Sequence, residues 1–227
     1  MSAPGKLLEK LKSDDPKTSL VRDILSVVLV VAVIGILLFG VSGTWPAIVA
    51  VESESMVPNM NVGDLVFVVE ENRFGPVMTS VEAQAAGVSF FGGYGDVIIY
   101  QPNGNTRVTP IIHRAIDEIN ESVAEELGFT GTHAHAGYIT KGDNNEFRDQ
   151  VGSFSGIGRV EPVKEEWVVG KALFAIPLIG YLPLHIWKFA VVVAVLLVLY
   201  ELYSRKKEKE TASTKKPRNQ KKGGNRT

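Results

Sequence analysis

The sequence predicts a mainly β domain flanked by two transmembrane helices. Three observations carry that expectation. Two apolar runs have the length a bilayer requires, the stretch between them is cut into short β-branched runs, and charge is segregated along the 227 residues. The formal net charge of −1 conceals this segregation. Residues 1–44 hold five Lys/Arg and four Asp/Glu, residues 45–185 hold eight and eighteen, and residues 186–227 hold eleven and three. The middle is therefore −10 and the last segment +8. No cysteine is present, which excludes disulfides, thiolate zinc sites and cysteine nucleophiles.

The first apolar run covers residues 24–41, broken only by Ser26, two glycines and alanine. Residues 24–43 reach the roughly 20 positions needed to cross a hydrocarbon core, and the span is drawn over 23–44. Lys10, Lys12, Lys17 and Arg22 precede it, so the positive-inside rule puts residues 1–22 in the cytoplasm. A cleaved signal peptide is the competing reading; the run is long for its apolar region and no A-x-A site follows. The second run, 181–203, has a wholly apolar centre over 189–200. Lys188 and Glu201 would snorkel toward the interfaces, with Tyr181, Trp187, Tyr200 and Tyr203 near the boundaries. A buried or interfacial helix is the alternative there. Arg205, Lys206 and Lys207 follow as a cytoplasmic stop, and residues 204–227 read as a disordered basic tail lying against anionic lipid rather than nucleic acid. Two spans would leave residues 45–180 outside the cell and return both termini to the cytoplasm.

Within 45–180 the strand candidates are 65–69, 97–100, 109–115, 137–140 and 167–169, each β-branched-rich and bounded by Gly, Pro, Asn or Asp. Two of them open alike, on Gly63-Asp64 and Gly95-Asp96, a turn in which glycine supplies the backbone and aspartate bonds nearby amides. Residues 72–93 and 117–136 read as insertions, the second with a short helix over 121–127.

The chemistry-bearing residues are few. Ser53 and Ser55 stand in Val51-Glu52-Ser53-Glu54-Ser55-Met56-Val57-Pro58-Asn59-Met60, just beyond the first span. A serine hydroxyl is a weak nucleophile without a base to take its proton, and most serines in such a segment are turn formers. Met56, Val57 and Met60 either contact an apolar surface or pack around the turn. Of the four histidines, His185 abuts the second span, while His133 and His135 lie in a loop with no carboxylate close in sequence, so that a metal site is not expected. His113 lies inside an apolar strand followed by Arg114. Downstream, Lys141-Gly142-Asp143-Asn144-Asn145 and Asp149 offer carboxylates able to orient a histidine, although Gly-Asp-Asn-Asn alone reads as a tight turn.

Taken jointly, a membrane span, Ser-x-Ser-Met-x-Pro, Gly-Asp-Val, a strand-borne His-Arg and Lys-Gly-Asp-Asn-Asn occur in the order of signal peptidase I. The chain resembles the archaeal and endoplasmic-reticulum branch of that family over residues 24–180. The resemblance implies a signal-peptidase-like β catalytic domain. It assigns Ser55 as nucleophile, His113 as base and Asp149 as the supporting acid. Asp143 takes the place of a second family aspartate that shapes the site, and Ser53 that of a hydroxyl which helps bind the oxyanion. Glu54 departs from the pattern, standing where glycine is frequent.

The resemblance implies a membrane-bound serine endopeptidase that removes signal peptides from exported preproteins, cleaving after small residues. Its partners would be preprotein signal peptides, membrane lipid and the secretion translocon, with no cofactor and no nucleic acid. Two rivals stand beside this. One is a self-cleaving regulator with a related core and a lysine base, for which Lys141 is the only lysine inside a motif. The other is a catalytically silent membrane-anchored binding domain of a secretion complex.

Overall fold

A computed structural model describes residues 16–214, and the chain divides into two compact units after Gly180. The first unit begins with α1 (Pro16–Ser42), whose stretch Ser19–Ser42 is long and apolar enough to cross a membrane. There follow β1 (Ile48–Ala50), β2 (Leu65–Val69), α2 (Ser80–Ala86), the two-residue strands β3 (Ser89–Phe90) and β4 (Gly93–Tyr94), and β5 (Val97–Tyr100). Then come β6 (Ile111–Ile119), α3 (Glu121–Glu126), β7 (Gly137–Lys141), the short β8 (Ser153–Phe154) and β9 (Gly158–Arg159), and β10 (Val168–Ile176). The second unit holds α4 (Tyr181–Leu184) and α5 (Ile186–Thr214), of which Ile186–Ser204 also has the length and hydropathy of a span. The chain as a whole is thus mixed helix and strand rather than mainly β.

Six strands form one antiparallel sheet in the order β1-β2-β10-β5-β6-β7. Strand side chains alternate between faces, and both faces carry core. Val66, Val68, Val97 and Ile99 pack with Met56 and Met60 on one side, with Ile112 against them. Ile98, Tyr100 and Ala115 pack with Val77, Val160 and Val163 on the other. Burial on both faces explains why β2 and β5 read as continuous apolar runs without polar alternation.

The aspartates that open β2 and β5 behave as their turns require. Asp64 Oδ2 accepts the Asn61 amide at 2.9 Å, and Asp96 Oδ2 accepts the Met78 amide at 3.0 Å. Gly95 has φ +94° and carries no Cβ where the Ala115 carbonyl oxygen would be 2.6 Å away, so this turn tolerates no side chain.

Four features differ from the sequence expectation. β6 runs on to Ile119, past a register shift between Ala115 and Asp117, into what reads as an insertion. β10 extends from Val168 to Ile176 because it lies between β2 and β5 and pairs with both, a tertiary gain invisible to local pattern. The 72–93 segment contains α2, closed by a capping box in which Thr79 and Glu82 satisfy each other's backbone amides. α5 continues to Thr214, where a tail without structure was expected from Ser204, because Lys, Glu and Ala sustain a helix already nucleated by the apolar run. Residues 215–227 of that tail lie outside the described residues, as do residues 1–15.

On the outer side of β1, β2 and β10 the sheet remains apolar without being covered. Ile48 pairs with Phe67 and Phe67 with Phe174, whose ring stacks on it at 5.2 Å, and Ile48, Phe174 and Ile176 are each more than two-fifths exposed. Leu38 of α1 packs beside Phe67 on this same side. Trp45, Leu178 and Ile179, close in sequence to these strands, are exposed as well.

Glu71, in the turn after β2, is held out of water, so burial pushes its carboxyl up to about 7, helped by Glu165 and Glu70 and opposed by Lys171. Its Oε2 has no hydrogen-bond partner. A folded-state value above the ordinary one means that the native state favours the protonated acid. The stabilisation is complete at low pH and is lost as pH rises through about 7. Glu71→Gln is therefore expected to raise Tm at pH 8 by about 2–4 °C, the shift that about 1 kcal/mol gives a chain of this size, with a gain that shrinks toward pH 4. Thermal unfolding of both proteins across that range checks it.

Candidate active site

The serine segment forms a compact turn after β1. Its methionines anchor it: Met56 and Met60 are 1% and 0% exposed and sit in the core cluster, so their task is packing rather than surface contact. The hydroxyls project the other way, Ser53 exposed and Ser55 half-buried, with their Oγ atoms 3.1 Å apart. Glu54 does not adopt positive φ, so a side chain there costs no backbone strain despite replacing a frequent glycine.

The turn that follows β7 grips this segment. The Asn144 amide donates to the Ser55 carbonyl at 2.8 Å, and Asn144 Nδ2 donates to the Glu54 carbonyl at 3.1 Å. Asn59 Nδ2 donates to Asp143 Oδ2 at 2.8 Å. Gly142 permits the approach, since a Cβ there would stand 2.6 Å from the Ser55 carbonyl oxygen. The β6–β7 register pairs Arg114 with Lys141. The pairing stops there, and Gly142 opens the turn that leaves the sheet. The serine loop thus wraps the end of the edge strand, its methionines and its Asn59–Asp143 bond on the Arg114 face of the sheet, while His113 presents its ring to the Tyr100 face.

His113 is 3% exposed, and its Nδ1 meets Asp149 Oδ2 at 2.6 Å. That distance is typical of a charge-assisted bond. It assigns the Nδ1 proton to the imidazole and leaves Nε2 as the acceptor in the neutral ring. Among the described residues Nε2 makes no hydrogen bond, and it is not one of the unpartnered atoms sealed from solvent. Asp149 is itself 1% exposed; its Oδ2 also accepts Tyr100 OH at 2.9 Å and Thr140 Oγ1 at 2.7 Å. The Asp149 amide donates to the Thr140 carbonyl at 2.9 Å, and Gln150 Oε1 accepts the Thr140 amide at 3.0 Å, so two consecutive residues lock this loop to β7.

The next residue on β6 serves the other carboxylate. Arg114 binds Asp143 in bidentate fashion, Nε to Oδ1 at 2.8 Å and Nη2 to Oδ2 at 2.7 Å. Its Nη1 donates to the carbonyls of Phe90 and Gly95 at 2.8 and 2.6 Å. With its donors turned onto the fold, this guanidinium braces the serine loop through Asp143 and Asn59.

The five residues singled out in the sequence therefore fall into three contacts: Ser53 with Ser55, His113 with Asp149, and Asp143 with Arg114. Among the described residues no hydrogen bond joins Ser55 to His113. Sequence reasoning passed over Tyr100, Thr140, Asn144 and Gln150. The only signal for Tyr100 was a polar-tipped residue at the end of an otherwise aliphatic strand, whose hydroxyl must find a partner if buried.

His133 and His135 do meet a carboxylate, brought by the fold rather than by sequence. His133 Nδ1 lies 2.7 Å from Glu161 Oε1 and His135 Nε2 lies 3.1 Å from Glu161 Oε2. Among the described residues no group of three His, Asp or Glu side chains is arranged to hold a metal ion. His185 lies in the second unit against the Tyr181 ring. Compared with known proteins, the chain matches no family model and no curated sequence.

Gly142→Ala isolates the contact between the turn and the serine loop. Because the added methyl meets backbone rather than a flexible side-chain tip, the loop must move. The expected outcome is a rise in protease susceptibility within residues 51–60 and a destabilisation of about 1–3 kcal/mol, read by limited proteolysis and thermal unfolding.

Proposed function

We propose that this chain is a membrane-bound serine endopeptidase of the signal peptidase I type, in the branch that uses histidine as base, and that it removes signal peptides from exported preproteins after small residues. The carrying observation is the buried His113–Asp149 pair with its Nε2 edge unoccupied, at the end of β7 where the Ser53–Ser55 loop is pinned.

In the proposed reaction Ser55 Oγ gives up its bond to Ser53 and turns to His113. As Oγ bonds to the scissile carbonyl carbon, its proton passes to Nε2 and the carbonyl π pair moves onto oxygen. Asp149, fixed on Nδ1, stabilises the imidazolium that results. The Ser55 amide and the Ser53 hydroxyl then bind the oxyanion, a term of about 3–4 kcal/mol per donor in comparable sites. Collapse breaks the carbon–nitrogen bond, and Nε2 returns the proton to the departing amine. Water repeats the sequence on the acyl ester, delivering its proton to Nε2 and releasing Ser55.

Substrate class follows from the membrane. A signal segment lies in the bilayer, so an enzyme held at the same surface meets it at high effective concentration. α1 and α5 supply two helices of spanning length and hydropathy, and the proposed arrangement keeps both termini in the cytoplasm and the sheet outside. The uncovered apolar face formed by Ile48, Phe174 and Ile176, with Trp45, Leu178 and Ile179 nearby, is continuous with α1 through Leu38 and supports a sheet resting on lipid.

The absence of a Ser55–His113 hydrogen bond favours one other reading, a silent binding domain anchored in the same way. In the protease reading that bond forms as substrate binds, since catalytic hydrogen bonds often tighten only then. The discriminating experiment is cleavage of a model preprotein by membranes bearing each variant. Ser55→Ala and His113→Ala are expected to lower kcat by about 10⁴–10⁶-fold, and Ser53→Ala by about 10²–10³-fold. Chelators are expected to leave the rate unchanged. Equal activity of wild type and Ser55→Ala, together with no labelling of Ser55 by an acylating probe, would establish the silent domain instead.

A further inference from the structure

Asp149 is an unevenly loaded carboxylate. Its Oδ2 takes His113 Nδ1, Tyr100 OH and Thr140 Oγ1 at 2.6, 2.9 and 2.7 Å, while its buried Oδ1 has no hydrogen-bond partner among the described residues. A carboxylate only accepts, so each of these three contacts is a donation to Asp149. Thr140 Oγ1 accepts Gln150 Nε2 at 3.3 Å and faces two acceptors for its single proton, Asp149 Oδ2 at 2.7 Å and the Tyr100 hydroxyl oxygen at 3.2 Å, of which the carboxylate is the nearer and the charged one. Tyr100 has one proton and gives it to the same oxygen. Burial, and next the Asp149 charge, push the Tyr100 hydroxyl well above its ordinary ionisation range, so it remains a donor wherever the protein is folded. Every donor thus converges on the atom that faces the imidazole.

We propose that Tyr100 is a positioning residue for the His–Asp pair: its hydroxyl, with that of Thr140, holds Asp149 Oδ2 against His113 and limits the negative charge that this oxygen offers the ring. A carboxylate relieved of a hydroxyl donor is a stronger base and a stronger partner for an imidazolium. The cation is then favoured, and His113 stays protonated to higher pH. The groups facing Asp149 are His113 from β6, Tyr100 from β5 and Thr140 from β7; the Arg114–Asp143 pair is held by the adjacent β6 position, whose side chain points to the opposite face.

The test is Tyr100→Phe, which keeps the ring packed with Ile98, Ala115 and Val160 and deletes only the oxygen. The His113 imidazole is titrated by NMR in the full chain in detergent micelles, with nitrogen-labelled histidine, and the pH profile of preprotein cleavage is recorded beside it. Tyr100→Phe is expected to raise the His113 midpoint by about 0.5–1 pH unit, and to move the acid limb of kcat/KM up with it, lowering the rate below that limb about three- to tenfold. Thr140→Val removes the other hydroxyl and is expected to act in the same direction. An unmoved His113 midpoint in a folded Tyr100→Phe protein overturns the inference; should that variant not fold, an unmoved midpoint in Thr140→Val does so. The proposal rests on the protease reading only for its kinetic arm. A wild-type chain that cleaves no preprotein refutes that reading, while the titration still decides the role of Tyr100.

Discussion

Asn144 holds Ser55 by its backbone amide and Glu54 by its side chain, and through these bonds a loop with no strand of its own becomes part of the sheet. Without them the serine hydroxyls would lose their nearest tethers and depend on the two buried methionines beneath, forgiving anchors, and on the more distant Asn59–Asp143 bond. The grip in turn requires that β7 be followed by a residue without a Cβ, Gly142, because the Ser55 carbonyl occupies that space. The site is therefore a property of how one edge strand terminates. Edge strands expose unpaired backbone groups; here the end of that edge is occupied by the serine loop.

Successive residues of β6 face opposite sides of the sheet, and the fold uses that parity to separate two carboxylates that lie six positions apart. His113 takes Asp149 and Arg114 takes Asp143. Each pairing excludes the other: a guanidinium on Asp149 would occupy the oxygen that the imidazole needs, and a histidine on Asp143 would lose contact with the hydroxyl network. Buried ion pairs contribute little net stability once desolvation is counted, yet deleting one partner is costly because the survivor is stranded. The Arg114–Asp143 pair is best understood as a register device that seats the turn 142–145, and with it the serine loop, in one place.

What the sequence reveals follows the range of the forces involved. The strands 65–69 and 97–100 were legible to the residue, because β-branched runs between turn residues are a local signal. Aspartates 64 and 96 were legible as turn acceptors for the same reason. The last seven residues of β10 were not, since Gly170-Lys171-Ala172 has no strand character until β2 and β5 pair with it from both sides. At the site, the candidate residues were legible only as a set with a familiar order. Pairwise distances were not, nor was the hydroxyl shell of Asp149, which joins residues 100, 140 and 149 through tertiary packing alone. The Glu161 carboxylate shared by His133 and His135 was hidden for the same reason: it lies 26 positions along the chain from the closer of the two.

The apolar outer face of the sheet and the polar interior of the site pose opposite problems of solvent, and α1 bears on both. Burying a large aliphatic or aromatic side chain is worth about 1.5–3 kcal/mol, so Ile48, Phe174, Ile176, Leu178 and Trp45 represent a substantial cost while they face water. α1, which has the length and hydropathy of a span, packs Leu38 on the same face, and in the proposed arrangement a bilayer holding it would lie only Gly43 and Thr44 away. In the proposed arrangement lipid removes that cost. β1, which carries part of the apolar face through Ile48, leads within three residues of its end to Ser53, so the depth at which the face settles also sets the height of the hydroxyls. In that proposed arrangement anchoring and the proposed catalysis would be coupled through one short strand, with the acidic remainder of the domain left to face solvent.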